Sequence, residues 1–177
     1  MLPGAWLVRL DRFEDARGVF VKTYARSAFE SLLAARGAQG PFDMMEEFYS
    51  VSHKNVVRGM HFQVPPHDQA KIVYCVAGAV RDVLVDLRKG PGFGRHASVV
   101  LDAGDPQLLL IPKGVGHGFM SLADASVLVY KTSTEHAPSH DAGIRYDSFG
   151  FDWGGAAPIL SERDRNHPRL ADYVSPF

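Results

Sequence analysis

The sequence is short of cysteine, of net charge and of long hydrophobic runs. Its 177 residues include one cysteine, Cys75, so neither an intrachain disulfide nor a zinc site built from several cysteines can form. The 19 basic and 20 acidic residues leave a formal net charge of -1, which excludes the broad basic surface of a nucleic-acid-binding protein. The longest apolar stretches, such as 108–111, are too short to cross a bilayer, and the first residues lack a signal-peptide pattern. We therefore expect a cytoplasmic protein without nucleic-acid or membrane partners.

What the sequence does contain is the composition of an ordinary globular protein. Hydrophobic residues make up 46% of it and charged residues 22%, which is typical of a folded chain and not of a disordered one. No repeat, low-complexity tract or linker-like segment divides it. Because this length suits one domain and is short for two, we expect residues 1–177 to form a single domain.

One helix is predicted near the N-terminus. Ser27 and Glu30 have the spacing of a capping box, which predicts Ser27 as the residue that caps the helix. Phe29 and Leu33 then share one face, and Gly37 is placed to end the helix.

The middle of the chain predicts short β-strands separated by turns. Residues 71–77 and 80–87 flank Gly78, which predicts a tight hairpin, and the alternation within 83–87 has the period of a strand. Further strands are predicted at 97–101, 107–111, 118–122 and 126–132. Many short strands at such spacing are typical of a sandwich or barrel. After Trp153 the sequence predicts a short helix and irregular cover.

Histidines provide the first candidates for chemistry. His61 and His117 lie in predicted strands beside glycines, which leave room for a ligand near the backbone. Each is either a hydrogen-bonded interior histidine or a functional one. Metal sites in small β-barrels often start from two histidines separated by one residue, but the residue two after His61 is Gln63. Since two neutral imidazoles alone hold zinc or iron poorly, we expect no metal cofactor.

Three more residues each allow a structural and a functional interpretation. Lys71 is either an edge-strand lysine that discourages aggregation or an inward ammonium group that stabilises an oxyanion. Tyr130 is either core packing with a satisfied hydroxyl or a functional phenol. Asp164, taken alone, is an ordinary solvated loop carboxylate. Residue type alone does not decide between these alternatives.

The motifs become specific as an ordered set. In chain order they are Arg17-Gly18-Val19-Phe20, Val57-Arg58-Gly59-Met60-His61-Phe62-Gln63, Gln69-Ala70-Lys71, residues 78–88, Phe93-Gly94, Ile111-Pro112-Lys113-Gly114, His117-Gly118-Phe119 and Tyr130-Lys131. This string resembles the dTDP-4-dehydrorhamnose 3,5-epimerase family, the RmlC-type sugar-nucleotide epimerases, over roughly residues 17–164. The resemblance implies an all-β, cupin-like jelly roll with a few short helices. It also implies a homodimer that works without metal or organic cofactor.

The resemblance further implies a chemistry and the residues that perform it. The family removes protons from carbons beside the 4-keto group of a nucleotide-linked 6-deoxy sugar and returns them on the opposite face, inverting C3, C5 or both. By resemblance His61 is the base, and Asp164 holds its imidazole ring. Lys71 matches the cation that stabilises the enolate, and Tyr130 matches the acid on the opposite face. His117 matches a supporting histidine of the pocket.

The same resemblance implies a set of substrate contacts. Arg17 and Arg58 match diphosphate ligands, because a guanidinium group binds phosphate oxygens in pairs. The other predicted contacts are Phe20, Lys22, Glu46, Phe48, His117 and His136.

Several contact positions depart from the family pattern. Lys22 stands where the family has a glutamate, Glu46 and Phe48 where it has glutamine and asparagine, and Glu135 and His136 where it often has two tyrosines. These changes leave open a single-centre epimerase acting on a CDP- or GDP-linked keto sugar. A metal-dependent cupin and a non-catalytic sugar-binding jelly roll are the alternatives from other classes.

Overall fold

The computed structural model describes residues 1–37, 42–154 and 157–177, and most of its regular structure is β-strand. The strands are β1 (Trp6–Arg9), β2 (Arg12–Asp15), β3 (Gly18–Val21), β4 (Glu46–Ser52), β5 (Val57–Gln63), β6 (Lys71–Ala77), β7 (Ala79–Asp86), β8 (His96–Asp102), β9 (Gln107–Ile111), β10 (Val115–Ser121), β11 (Ser126–Thr132) and β12 (Asp141–Gly143). The helices are α1 (Arg26–Ala35) and α2 (Glu162–Asn166), followed by a 3₁₀ turn at Leu170–Asp172. None of the helices in these ranges is long and apolar enough to span a membrane.

Ten of the strands form two five-stranded sheets with antiparallel neighbours. The first sheet has the order β1-β9-β6-β11-β4, and the second has the order β12-β5-β10-β7-β8. Strands β2 and β3 pair only with each other within the described part of the chain and form a separate hairpin. The predicted all-β class with a few short helices is confirmed.

Apolar side chains fill three layers around these sheets. Val73, Leu109 and Leu128 of the first sheet meet Leu84 and Phe119 of the second in a core between them. Their alternation along each strand places every second side chain inside, as the period of a β-strand requires. Each such fully buried side chain stabilises the fold by about 1.5–3 kcal/mol relative to its exposure.

The outer faces of both sheets are covered as well. Helix α1 places Phe29 and Leu33 against Ile72 of the first sheet. The C-terminal segment places Phe149 and Trp153 on the second sheet. The short helix and irregular cover predicted after Trp153 are confirmed for the described residues, and residues 155–156 lie outside them.

The predicted hairpin around Gly78 is wrong. Strand β6 lies between β9 and β11 in the first sheet, whereas β7 lies between β10 and β8 in the second. Gly78 has φ +67°, and a Cβ atom there would lie 2.6 Å from Oγ of Ser126. The glycine therefore turns the chain from one sheet into the other. Alternation within a strand identifies its inward face but not its partner strand. The pairing of residues 71–77 with 80–87 therefore could not be predicted from the alternation.

The predicted helix cap is wrong by two residues. Helix α1 begins at Arg26, and its N-cap is Ala25, whose extended backbone (φ -142°, ψ 124°) makes no side-chain cap bond. Ser27 lies inside the first turn, so its hydroxyl is not in the capping position. The predicted end is confirmed, because Gly37 has φ +69° and donates its N–H to the carbonyl of Ala34.

Candidate active site

The predicted base and its carboxylate form a hydrogen-bonded pair. Nε2 of His61, on β5, lies 2.7 Å from Oδ1 of Asp164, on α2. The other carboxylate oxygen, Oδ2, accepts the backbone N–H of Gly59 at 3.2 Å. Burial alone raises the pKa of Asp164, but the hydrogen bonds from His61 and Gly59 outweigh it and the net pKa is lowered. An ionised carboxylate only accepts hydrogen bonds, so Nε2 of His61 carries the proton and Nδ1 has the free lone pair.

A close approach of two strands sets the position of this pair. His61 on β5 lies opposite His117 on β10. At Gly59 the backbone has φ +135°, and a Cβ atom would lie 2.5 Å from Cα of Gly118. Only glycine fits at this contact, and the resulting path of β5 directs the Gly59 N–H toward Asp164.

Lys71 is an inward ammonium group at the start of a central strand. Strand β6 has neighbours on both sides, which excludes the alternative of an edge-strand lysine. Its Nζ donates to the carbonyl oxygen of His61 at 3.2 Å. Burial lowers the pKa of Lys71 to about 8, while the negative charges of Asp141 and Asp82 oppose that change. The ammonium form is therefore still the major one at neutral pH.

A second histidine–carboxylate pair lies deeper between the sheets. Nε2 of His117 lies 2.7 Å from Oδ2 of Asp82, and both residues are buried. Burial raises the pKa of Asp82, and the charges of His117 and Lys71 counteract that effect. Asp82 is not among the predicted site residues. The signal for it was a carboxylate that alternates with Val80 and Leu84 on the inward face of β7.

Tyr130 packs between Phe48 and His117. Its ring stacks on Phe48 with 4.7 Å between centroids and meets the His117 ring edge-on at 5.9 Å. Its hydroxyl lies 3.4 Å from Oγ of Ser50, on the neighbouring strand. Burial raises the pKa of the phenol, and the Ser50 contact only partly offsets this.

Three predicted substrate contacts meet at β4: Glu46 belongs to that strand, Arg58 reaches it from β5, and His136 lies in the segment beside it. Arg58 donates to Oγ of Ser52 at 3.1 Å and to the carbonyl of Val51 at 3.2 Å. Glu46 accepts the backbone N–H of His136 at 2.9 Å, and His136 lines a surface cavity of about 430 Å³.

Three other predicted contacts lie on another part of the surface. Arg17 is exposed and pairs with Asp15 at 2.6 Å in the β2–β3 hairpin. The ring of Phe20 packs on Phe13 at 6.3 Å. Phe20 and Lys22 line a groove of about 630 Å³ beside β1 and α1, whose described lining includes no member of the His61–Asp164 pair. A single chain therefore does not bring Arg17, Phe20 and Lys22 to the predicted base.

Like Asp82, His167 has no counterpart among the predicted site residues. His167 lies three residues after Asp164, and its Nε2 is 3.8 Å from Oδ1 of that carboxylate. Its ring stands edge-on to His61 at 5.7 Å between centroids. The spacing along the short helix α2 was the signal that could have revealed it.

Sequence comparison identifies the family. The family model described as dTDP-4-dehydrorhamnose 3,5-epimerase matches residues 1–172. A relative of that name from Mycolicibacterium smegmatis is 39% identical over 173 residues, which cover 97% of this chain and 84% of the relative. The chain belongs to the dTDP-4-dehydrorhamnose 3,5-epimerase family. It is therefore an enzyme of the isomerase class, as predicted.

Solved structures of this family have the same fold. The Mycobacterium tuberculosis rmlC epimerase superposes with a TM-score of 0.90 at 37% identity, covering 97% of this chain and 86% of that one. The 3'-monoepimerase ChmJ from Streptomyces bikiniensis, in complex with dTDP-quinovose, superposes with a TM-score of 0.88 at 33% identity, covering 95% and 84%. These likenesses confirm the predicted cupin-like jelly roll.

Proposed function

We propose that this chain epimerises a dTDP-linked 4-keto-6-deoxy sugar at C3, at C5 or at both. The observation that carries the proposal is the His61–Asp164 pair, with 2.7 Å between Nε2 and Oδ1, in a site that also holds a buried ammonium group and a buried phenol. The dTDP nucleotide is supported by the names of the family model and of the Mycolicibacterium relative. The absence of any cofactor in the reaction stays a prediction.

The first step is removal of a proton from the carbon beside the ketone. Nδ1 of His61 takes the proton, and the electron pair of the C–H bond moves into an enolate whose charge lies on the former ketone oxygen. Asp164 stabilises the resulting imidazolium through the existing hydrogen bond. The ammonium of Lys71, held in a buried site, stabilises the enolate oxygen.

The second step is return of a proton to the opposite face of the same carbon. His61 lies on a strand of the second sheet and Tyr130 on a strand of the first. Two side chains on facing sheets can reach opposite faces of a sugar ring that is bound between them. Tyr130 donates its hydroxyl proton to the carbon, and the enolate returns to the ketone. The phenolate is then reprotonated from solvent, and His61 releases its proton to complete the cycle.

We further propose a homodimer in which the β2–β3 hairpin of one copy serves the site of the other. Phe13 and Phe20 on the hairpin are 58% and 60% exposed. Adjacent exposed aromatic side chains are typical of a surface that a partner covers. A hairpin that joins neither sheet is marginal by itself. A second copy that covers the hairpin would supply Arg17 to the diphosphate, together with Arg58 of the first copy.

Two broader predictions accompany this proposal. One epimerase domain covering residues 1–177 is supported by the family match over residues 1–172. The cytoplasmic location stays a prediction from the sequence.

The function is tested with a panel of dTDP-, CDP- and GDP-4-keto-6-deoxyhexoses in deuterated water. We expect deuterium to enter the dTDP sugar beside the ketone, and NMR then reports whether C3, C5 or both have exchanged and inverted. His61→Ala should lower turnover by at least about 10²-fold, the lower range for losing a general base. His140→Ala, a change at a histidine outside the site, is the matched control.

Two results would contradict the proposal. A chain that exchanges no hydrogen of any keto sugar in the panel would be a sugar-binding jelly roll and not an epimerase. Near wild-type turnover of His61→Ala would remove His61 from the reaction.

A further inference from the structure

His167 adds a third metal-ligating group to the catalytic pair. The candidate ligand atoms of His61, Asp164 and His167 all lie within 4.8 Å of one another. Both imidazoles approach the same carboxylate oxygen, Oδ1 of Asp164, at 2.7 Å and 3.8 Å. Two imidazoles and one carboxylate form a ligand set that suits zinc and neighbouring divalent transition metals.

The nitrogen of His167 that points into this cluster has an unusual environment. Nε2 of His167 is buried and has no hydrogen-bond partner among the residues that the structure describes. Buried polar atoms are nearly always hydrogen-bonded, so an orphaned one requires an explanation. A cation between His167 and Asp164 would give this nitrogen a partner.

The three groups are also held in place by their surroundings. A Cβ atom on Gly143 would lie 2.5 Å from Nε2 of His167, so the ring rests directly on the β12 backbone. The Gly59 N–H holds Oδ2 of Asp164 and leaves Oδ1 for a further contact. Such supporting contacts orient ligands around a metal.

We infer that His61, Asp164 and His167 form a binding site for a divalent transition metal, with Zn²⁺ as the representative ion, and that the metal inhibits the enzyme. The binding follows from the ligand geometry alone, whereas the inhibition rests on the proposed function.

The inhibition follows from the tautomer of His61. In the metal-free pair the ring carries its proton on Nε2 and has its lone pair on Nδ1, which acts as the base. Metal binds through the Nε2 lone pair, so a neutral ring must carry its single proton on Nδ1. The base then has no lone pair directed at the substrate, and Asp164 is bound to the metal instead of supporting an imidazolium.

Metal binding is measured directly, without any substrate. Isothermal titration with Zn²⁺ and the visible absorption of bound Co²⁺ are recorded for the full-length wild-type chain and for His167→Phe. Phenylalanine keeps a ring against Gly143 but offers no ligand, and His167→Gln is the second variant should His167→Phe fail to fold. His140→Ala controls for binding to a histidine outside the cluster.

We expect one Zn²⁺ per chain in the wild type and in His140→Ala. The affinity for Zn²⁺ should fall by at least about 10-fold in both His167 variants. Loss of a residue that only hydrogen-bonds a metal ligand already lowers metal affinity by about that factor. Equal affinity in the wild type and the His167 variants, or no saturable binding at all, would overturn the site.

Inhibition is then measured against the metal-free rate of each variant in a chelating buffer. The Zn²⁺ concentration that halves wild-type turnover should match the dissociation constant from calorimetry and should rise in parallel in the His167 variants. Binding without inhibition, or activation by Zn²⁺, would overturn the inhibitory role. A protein that turns over no keto sugar would fail the proposed function, while the calorimetric test would still decide the metal site.

Discussion

At the scale of single residues, the surroundings of Tyr130 suit a proton donor. Burial raises the pKa of the phenol, the nearby negative charge of Asp82 acts in the same direction, and the Ser50 hydroxyl and Arg58 oppose it. A phenol with a raised pKa keeps its proton until a strongly basic centre forms next to it. The carbon of an enolate is such a centre. Because the phenol is already protonated, it does not accept the proton that His61 removes from the substrate, and it acts only as a donor.

The Tyr130→Phe variant should separate the two proton transfers. It removes only the hydroxyl, and the ring can still stack on Phe48. We expect solvent deuterium to keep entering the substrate through His61, while formation of the inverted product falls by at least about 10²-fold, as for loss of an acid–base group. Mass spectrometry measures the exchange, and NMR measures the inversion.

A matched change at Tyr74 serves as the control for this experiment. Tyr74 is a buried tyrosine on the neighbouring strand β6 and belongs to the core under α1, so Tyr74→Phe should alter neither exchange nor inversion. Loss of exchange together with inversion in Tyr130→Phe would contradict separate roles. Unchanged inversion would exclude Tyr130 as the acid and favour water or His136.

At the scale of secondary-structure elements, the start of helix α1 lacks a side-chain cap. Ala25 occupies the N-cap position with an extended backbone, and its methyl group accepts no hydrogen bond from the first turn. Ala25→Ser should therefore increase the free energy of unfolding by about 1 kcal/mol, the usual contribution of such a cap. Urea denaturation of both proteins measures the difference.

Ser27→Ala is the matched control for the cap. Ser27 lies inside the first turn, so removing its hydroxyl should leave the free energy of unfolding nearly unchanged. A loss of about 1 kcal/mol in Ser27→Ala, with no gain in Ala25→Ser, would show that Ser27 caps the helix after all.

The pairing of β5 with β10 depends on the absence of a side chain at Gly59. A Cβ atom there would lie 2.5 Å from Cα of Gly118, a contact that only movement of the backbone can relieve. Gly59→Ala should therefore destabilise the fold by about 1–3 kcal/mol beyond its backbone strain, as overpacking does. It should also weaken turnover, because the Gly59 N–H holds Asp164.

Gly90→Ala isolates the steric part of this effect. Gly90 has φ +123°, close to that of Gly59 at +135°, but a Cβ atom there would meet nothing within 4 Å. The two alanine variants thus share a positive φ that is unfavourable for alanine, and they differ in the clash. Equal unfolding midpoints of Gly59→Ala and Gly90→Ala in urea would show that a methyl group at position 59 fits beside Gly118 without a clash.

Local sequence predicted the strands better than their partners. The predicted bounds of β6, β9 and β11 match the structure to the residue, because alternating apolar residues and flanking turn residues define each strand locally. Whether β6 pairs with β7 depends on strands far away in the chain, and that prediction failed. His167 escaped notice although it lies only three residues after Asp164, because its contact with Gly143 of β12 depends on the fold.

At the scale of the whole molecule, the predicted site is divided between two regions. Asp164 on α2 bonds to His61 of the second sheet, while Lys71 and Tyr130 lie on strands of the first sheet. His61, Lys71 and Tyr130 could be predicted because each stands in a motif of the family, and Asp164 because its position matches the family's aspartate. Arg17 stands in such a motif as well, yet it lies on an exposed hairpin. The sequence could not reveal this separation, because a motif is compatible with a contact to the site of its own chain or to that of a second copy. A test of the homodimer must therefore measure the activity of the composite site and not only the molecular mass.

Mixed dimers provide such a test. One chain carries Arg17→Glu and the other carries His61→Ala, each with its own tag, and purification through both tags leaves only mixed dimers. When the hairpin serves the partner's site, one site combines the intact His61 of the first chain with the intact Arg17 of the second. Such dimers should have about half of the wild-type activity, because one of the two equivalent sites of a twofold-symmetric dimer is complete.

The reciprocal arrangement, with both substitutions on one chain paired with a wild-type chain, makes the result decisive. Here the wild-type His61 faces the altered hairpin and the wild-type hairpin faces the altered base, so no complete site remains and activity should be lost. A hairpin that served its own chain would reverse the two outcomes: the separated substitutions would be inactive, and the combined ones would keep about half of the activity. Sub-saturating substrate is used throughout, since Arg17 is expected to act through binding of the diphosphate. A wild-type protein that sediments as a monomer at the assay concentration would contradict the dimer directly.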